Sequence, residues 1–293
     1  MTEPAGSDAG RSYFVDGKIG RIHVRDFGGP GPVIVALHGV TGGTFLWGGV
    51  AKALAGQAHV IAMDFRGHGQ SEWSDDRLYS TEAYTEDLEA VLASLALAAP
   101  PVLMGSSWGA LAAIRVAAQR SSFASGLIVV DVEPSFDLGP TDVVPKPYKF
   151  PTFEAVTAWE RKANPAAPDD VLKGFVEGSI TKTADGTFLR RHDPFFLTHW
   201  PFRDDDLWNE VATVQCPVLV VNGDRTFVRR EVCLKMARAF ANGHFAAIEN
   251  SGHLVPLEQP VRLAALISEF VQQHEKMIQR SQDKNSLGEK TND

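Results

Sequence analysis

The stretch Pro101-Val-Leu-Met-Gly-Ser-Ser-Trp-Gly-Ala-Leu-Ala-Ala113 decides how this chain is read. Pro101 to Met104 is a short apolar run suited to a buried strand, and Trp108 to Gln119 is Ala-rich with no helix breaker. Between them, residues 105–109 form a Gly-x-Ser-x-Gly segment, so strand turns directly into helix with Ser107 at the corner. Such a corner strains the backbone of its central residue, and the flanking glycines remove side chains that would clash. Ser107 then stands clear at the C-terminal edge of a sheet, facing the positive end of the following helix, which makes it the candidate nucleophile. The alternative is a helix N-cap, a role open to Ser106 or Ser107.

Outward from this corner, strand and helix patterns alternate. Apolar runs at 33–37, 59–63, 126–131 and 217–222 read as parallel strands buried on both faces. Tyr13 to Val35 holds two or three short strands, with the Gly-Gly-Pro-Gly turn of 28–31 feeding the last. Thr81 to Leu97 has apolar residues at helical spacing, and helices near 230–241 and 260–274 flank a strand near 245–248. These patterns predict an α/β fold with a doubly wound sheet. Residues 135–202 break the rhythm with prolines such as Pro140, Pro145, Pro147, Pro151, Pro165, Pro168 and Pro194 and with many aromatics, and are read as a lid. The expected organisation is one core domain, 11–134 plus 203–275, with the helical lid at 135–202 and disordered tails at 1–10 and 276–293.

Hydrophobic residues make up 44% of the chain and charged residues 22%, the balance of a globular protein. The net charge of −8 and the lack of a Lys/Arg strip argue against a nucleic-acid partner. No secretory signal pattern opens the chain and no apolar stretch reaches a membrane span, so a cytoplasmic location without membrane contact is expected. Cys216 and Cys233 are too few for a disulfide framework and not spaced as metal ligands. Neither metal nor cofactor is expected, the partner is a small-molecule substrate, and nothing marks an oligomer interface.

A serine hydroxyl needs a base within hydrogen-bond reach. Of nine histidines, His253 is preferred because it lies in a loop between the last strand and the last helix, where the chain returns to the carboxyl edge of the sheet. His23, His59 and His244 read as strand residues, and His192 and His199 belong to the lid.

Together with His38-Gly39 after the third strand and Asp64-Phe-Arg-Gly-His-Gly-Gln-Ser71, these motifs resemble the α/β-hydrolase superfamily from about Tyr13 to His274. The resemblance implies a mostly parallel, doubly wound eight-stranded sheet with the lid inserted after strand 6. It also implies an oxyanion hole from the backbone N–H groups of Val40 and Trp108. His38 reads as a brace for its loop, and Asp64, Arg66 and His68 as an ion pair and turn near the site. In most relatives the triad carboxylate follows strand 7, three or four residues beyond a glycine, but here Thr226 and Phe227 hold those positions. Asp131 at the end of strand 6, Asp224 and Glu133 remain. Asp131 is preferred, since branches of the superfamily similar to (acetamidomethylene)succinate hydrolase place the acid there.

A serine at 107 excludes the aspartyl-ester chemistry of epoxide hydrolases and haloalkane dehalogenases, and favours an acyl-enzyme route. The expected substrate is a small aromatic or alicyclic ester, lactone, amide or related carbonyl compound, bound among Trp47, Trp159, Phe196 and Trp200. Arg161, Lys162, Arg190, Arg191, His192 and Arg203 form either a solvated face or, in part, a carboxylate contact. Two other readings stand beside hydrolysis: a cofactor-free oxygenase using a His-Asp dyad, and a non-catalytic ligand receptor.

Overall fold

A computed structural model describes residues 10–136 and 146–273. The expected tails, apart from Gly10, lie outside the described residues, as do 137–145 of the expected lid. The chain opens with an antiparallel hairpin, β1 (Arg11–Gly17) and β2 (Gly20–Gly28), followed by β3 (Val33–Leu37), α1 (Gly48–Ala53) and β4 (His59–Met63). After β4 come α2 (Thr81–Ser94), β5 (Val102–Ser106), α3 (Trp108–Gln119) and β6 (Gly126–Val130). All of these elements except α1 are strands and helices expected from the sequence, with small shifts at their ends. The helix expected to reach Leu97 stops at Ser94, because Ala96 turns left-handed (φ 44°) and Pro100 and Pro101 follow.

Beyond the insertion, α6 (Trp208–Thr213), β10 (Val218–Gly223), α7 (Arg230–Ala239), β11 (Gly243–Ile248), the short α8 (Val255–Glu258) and a helix over 260–273 complete the domain. The eight-stranded sheet runs β1-β2-β4-β3-β5-β6-β10-β11, antiparallel only at β1/β2 and β2/β4. Side chains alternate across it. Val35, Leu37, Leu103, Leu127 and Val129 join α2, α3, α6 and α7 in one core; Ile34, Ala36, Met104, Ile128 and Val130 join α1, α8 and the 260–273 helix in the other. The winding reverses direction between β3 and β5, and in open α/β sheets ligands bind beyond the carboxyl ends of the strands at such a switch point.

The insertion departs from a purely helical lid. Its described part holds α4 (Phe153–Ala163) and α5 (Asp169–Ser179), and also a three-stranded antiparallel sheet of β7 (Lys149–Phe150), β8 (Ile180–Lys182) and β9 (Phe188–Arg190) in the order β7-β9-β8. The β8–β9 hairpin turns at Asp185-Gly186, where Gly186 takes φ 84°. An Asp-Gly pair between short apolar runs is a hairpin signal that the proline count of the segment obscured. The insertion is tied to the loop after β4 by Gly69 N to Arg191 O (2.6 Å) and Asp193 N to Gly67 O (2.8 Å). That loop is itself anchored outward rather than by an internal ion pair. Arg66 forks onto Asp87 of α2 with two 2.6 Å bonds, and Asp64 takes His23 Nδ1 at 2.7 Å. Among the described residues no helix is long and apolar enough to cross a membrane.

Candidate active site

β5 and β6 pair in parallel up to Ser106 opposite Val130, and Ser107 N donates to Val130 O (2.9 Å). Ser107 and Asp131 therefore leave adjacent strands side by side at the carboxyl edge. Both have left-handed backbone, Ser107 at φ 53° and Asp131 at φ 52°, a conformation costing roughly 1–3 kcal/mol for a residue with a Cβ. Packing enforces the serine's strain. A Cβ on Gly105 would lie 2.4 Å from the Ala110 backbone, and one on Gly109 2.5 Å from the carbonyl oxygens of Leu37 and His38. Only glycine lets α3 sit so close to β3 and β5. Trp108 secures the helix start from the other side: its Nε1 donates to Thr81 Oγ1 (2.7 Å), and its ring packs 4.2 Å from Tyr84.

The Asp131 side chain is wholly buried and accepts four hydrogen bonds. Oδ1 receives Asn222 Nδ2 and Gly223 N, both at 3.0 Å; Oδ2 receives Thr226 Oγ1 at 2.6 Å and His253 Nδ1 at 2.8 Å. With Nδ1 donating, His253 keeps a lone pair on Nε2. Thr226, at one of the two positions where the resemblance would put a carboxylate, thus donates to the carboxylate that follows the neighbouring strand. The other two carboxylates are engaged elsewhere. Asp224 Oδ1 accepts from Ser251 N (3.0 Å), a bond that draws its pKa below the usual carboxylate value. Glu133 grips Arg229, whose Nε is 3.0 Å from both carboxylate oxygens. Neither bonds His253.

The imidazole of His253 is a quarter exposed, and Phe227, 74% exposed, lies 4.6 Å from it. Ser107 Oγ and His253 Nε2 make no hydrogen bond among the described residues, so the serine-histidine link expected from sequence is not formed in this structure. Links of this kind commonly tighten only when substrate is present. Gly39 abuts the serine, since a Cβ there would lie 2.8 Å from Ser107 Cβ and 3.3 Å from Oγ. Val40 follows directly. Its N–H, and that of Trp108 in the first turn of α3, donate to no backbone acceptor among the described residues.

A family model described as "Alpha/beta hydrolase family" matches residues 34–266. The chain belongs to the α/β-hydrolase family. It is 30% identical over 262 residues to esterase Rv0045c of Mycobacterium tuberculosis, covering 85% of each chain. It is 24% identical over 282 residues to the 2-(acetamidomethylene)succinate hydrolase of Mesorhizobium japonicum, covering 90% of this chain and 98% of that one. A solved structure of E-2-(acetamidomethylene)succinate hydrolase superposes with TM-score 0.77 at 22% identity, over 90% of this chain and 99% of the other, a likeness of fold. The relatives are esterases and hydrolases, which supports hydrolase activity here.

In this α/β-hydrolase the loop after β3 is braced by two neutral histidines. His38 Nδ1 donates to Gly39 O (2.7 Å) while Nε2 accepts from Phe65 N (3.0 Å); His68 Nε2 accepts from Thr41 N (3.0 Å) and Nδ1 faces Arg66 O (3.2 Å). A proton on either accepting nitrogen would break its bond. Burial lowers the pKa of both, that of His68 strongly, and pushes His192 down to about 4. As pH falls below the ordinary value near 6.5, the unfolded chain takes up these protons first. For His192 the stability contributed is therefore complete above about pH 6.5 and is lost as pH falls toward 4, a loss of about 2 kcal/mol by pH 5. Thermal unfolding at pH 7 and pH 5 should show a smaller drop for His192→Gln than for wild type. Equal drops would assign the acid sensitivity to other groups.

The four aromatics expected to line a pocket pack the insertion onto the core. Trp47 is fully buried with its Nε1 lacking an acceptor, and Phe196 lies against His68 (4.4 Å) and Tyr79 (4.7 Å). Trp200 is half-buried, donating through Nε1 to Phe196 O (3.1 Å), and Trp159 lies under the Arg190 guanidinium (4.7 Å). None of the four makes a hydrogen bond or ring contact with Ser107 or His253 among the described residues. Phe227 does touch the imidazole. Its place in the chain was legible, but only the fold shows that it borders His253. Among the described residues no cluster of three or more His, Cys, Asp or Glu is arranged to hold a metal ion.

Proposed function

We propose that the chain is a serine hydrolase acting on an ester, lactone, amide or related carbonyl bond of a small molecule. The observation that carries this reading is the 2.8 Å bond from His253 Nδ1 to the buried Asp131 carboxylate, made at the sheet edge where Ser107 is held in strained backbone. In the proposed cycle His253 Nε2 takes the Ser107 proton as Oγ adds to the substrate carbonyl. The N–H groups of Val40 and Trp108 receive the developing oxyanion, a term of about 3–4 kcal/mol for a single donor. The imidazolium, steadied by Asp131, passes its proton to the leaving group as the bond breaks. Water, deprotonated by His253, then adds to the acyl-enzyme, and the acid product departs with Ser107 reprotonated. Phe227, whose ring lies against His253, suits an aromatic or alicyclic group beside the carbonyl.

The dyad of His253 and Asp131 is closed while Ser107 Oγ stands unbonded, and that observation favours one second reading, a cofactor-free oxygenase in which the dyad alone is the base. Incubation with a fluorophosphonate probe and with p-nitrophenyl butyrate separates the two. A hydrolase should be labelled at Ser107 and release p-nitrophenol without consuming O₂. An unlabelled protein that is inert toward the ester contradicts the proposal.

A further inference from the structure

The insertion carries a second group of polar side chains to the loop that leaves β3. Arg190, at the end of β9, is 6% exposed; its Nη1 donates to Glu160 Oε1 (2.7 Å) and its Nε to Pro147 O (2.8 Å), while Nη2 has no acceptor. Lys146 points its ammonium at Thr41, with Nζ 3.4 Å from Oγ1, and forms no ion pair among the described residues. Burial lowers its pKa. His192 is 1% exposed and donates from Nδ1 to Asp193 O (3.1 Å), which leaves Nε2 as a buried acceptor without a donor. Its ring lies 6.4 Å from that of His68, which accepts from Thr41 N. The three side chains lie close enough to act on one another electrostatically, and Lys146 among them reaches Thr41, two residues after Gly39, the residue pressed against Ser107.

Among the described residues the charges here do not balance. Two cations, Lys146 and Arg190, share one carboxylate, Glu160, which already accepts from Arg190 and from Asn164 Nδ2 (3.3 Å). A buried guanidinium nitrogen without an acceptor is costly, and an anion placed against it gains a charge-assisted bond of the strong class. We propose that Arg190 Nη2 and Lys146 Nζ form a carboxylate subsite, so that the preferred substrates carry an anionic carboxylate on the side of the scissile carbonyl facing Thr41. His192 Nε2 then accepts from a hydroxyl or amide N–H beside that carboxylate. This assignment rests on Ser107 being the acyl-transfer centre, and it narrows the substrate to an acidic carbonyl compound.

Isothermal titration of succinate into the full-length Ser107→Ala protein, with dimethyl succinate as the neutral control, reads the subsite without turnover. Succinate should bind at least about tenfold more tightly than the diester, and Lys146→Met should weaken it about tenfold. Glu160→Gln, which removes the competing carboxylate, should tighten succinate severalfold, the opposite of what a merely damaged fold would do. Succinate binding no tighter than the diester, or unchanged in Lys146→Met, overturns the subsite. Tight succinate binding by a protein that hydrolyses no ester upholds the subsite and overturns the acyl-transfer reading; ester hydrolysis without succinate preference does the reverse.

Discussion

Ser107→Ala is expected to lower kcat toward p-nitrophenyl butyrate by about ten-thousand-fold or more and to abolish fluorophosphonate labelling. The size of the effect follows from what the hydroxyl does and does not touch. Ser107 Oγ makes no hydrogen bond among the described residues, so its removal breaks no structural contact and the lost rate reports chemistry. Alanine keeps the Cβ and hence the backbone strain at φ 53°, so the melting temperature should stay close to wild type. Ser107→Gly releases that strain and should raise stability by roughly 1 kcal/mol while being equally inactive. The comparison separates a nucleophile from a helix cap, since the loss of a cap would lower stability by about 1 kcal/mol and leave turnover intact. Activity within tenfold of wild type in Ser107→Ala would remove the serine from the mechanism.

Asp131→Asn should cost about as much, on the order of ten-thousand-fold in kcat, with little change in KM. All four groups around the carboxylate are donors: Asn222 Nδ2, Gly223 N, Thr226 Oγ1 and His253 Nδ1. An asparagine must direct its own NH₂ at one of these pairs. If it faces Asn222 and Gly223, two donors meet a donor; if it faces His253, the ring must turn over its tautomer and put the proton on Nε2, where a base needs a lone pair. Asp224→Asn still accepts from Ser251 N through its remaining oxygen and should alter kcat by less than about tenfold. Steady-state kinetics of the two variants decide between strands. A large loss in Asp224→Asn with Asp131→Asn near wild type would move the acid to the strand that ends at Gly223.

Much of the fold could be read from local pattern. The apolar runs at 33–37, 59–63 and 126–131 return as β3, β4 and β6, because strands buried on both faces need side chains of one kind throughout. Where the reading fell short, a nonlocal or competing signal was involved. α2 ends early because a left-handed Ala96 breaks the helical period that its apolar spacing suggested. The β8–β9 hairpin went unread because its strands are three residues long, too short for periodicity to register. The ion pairs of the loop after β4 reach back to His23 and forward to Asp87, partners no local window contains.

The sequence by itself determined the strand-turn-helix corner at Ser107 and the loop that returns His253 to the sheet edge. Both follow from short-range chemistry: glycines where side chains would clash, and breakers where a strand stops. Which carboxylate meets the imidazole was decided only by tertiary structure. Asp131, Asp224 and Glu133 all follow strand ends, and the choice among them turns on how β6 and β10 lie in register and on the left-handed turn at Asp131 that swings its carboxylate toward His253. The grouping of Lys146, Arg190 and His192, with Lys146 reaching Thr41, is of the same kind, since proximity across a folded insertion is a property of packing.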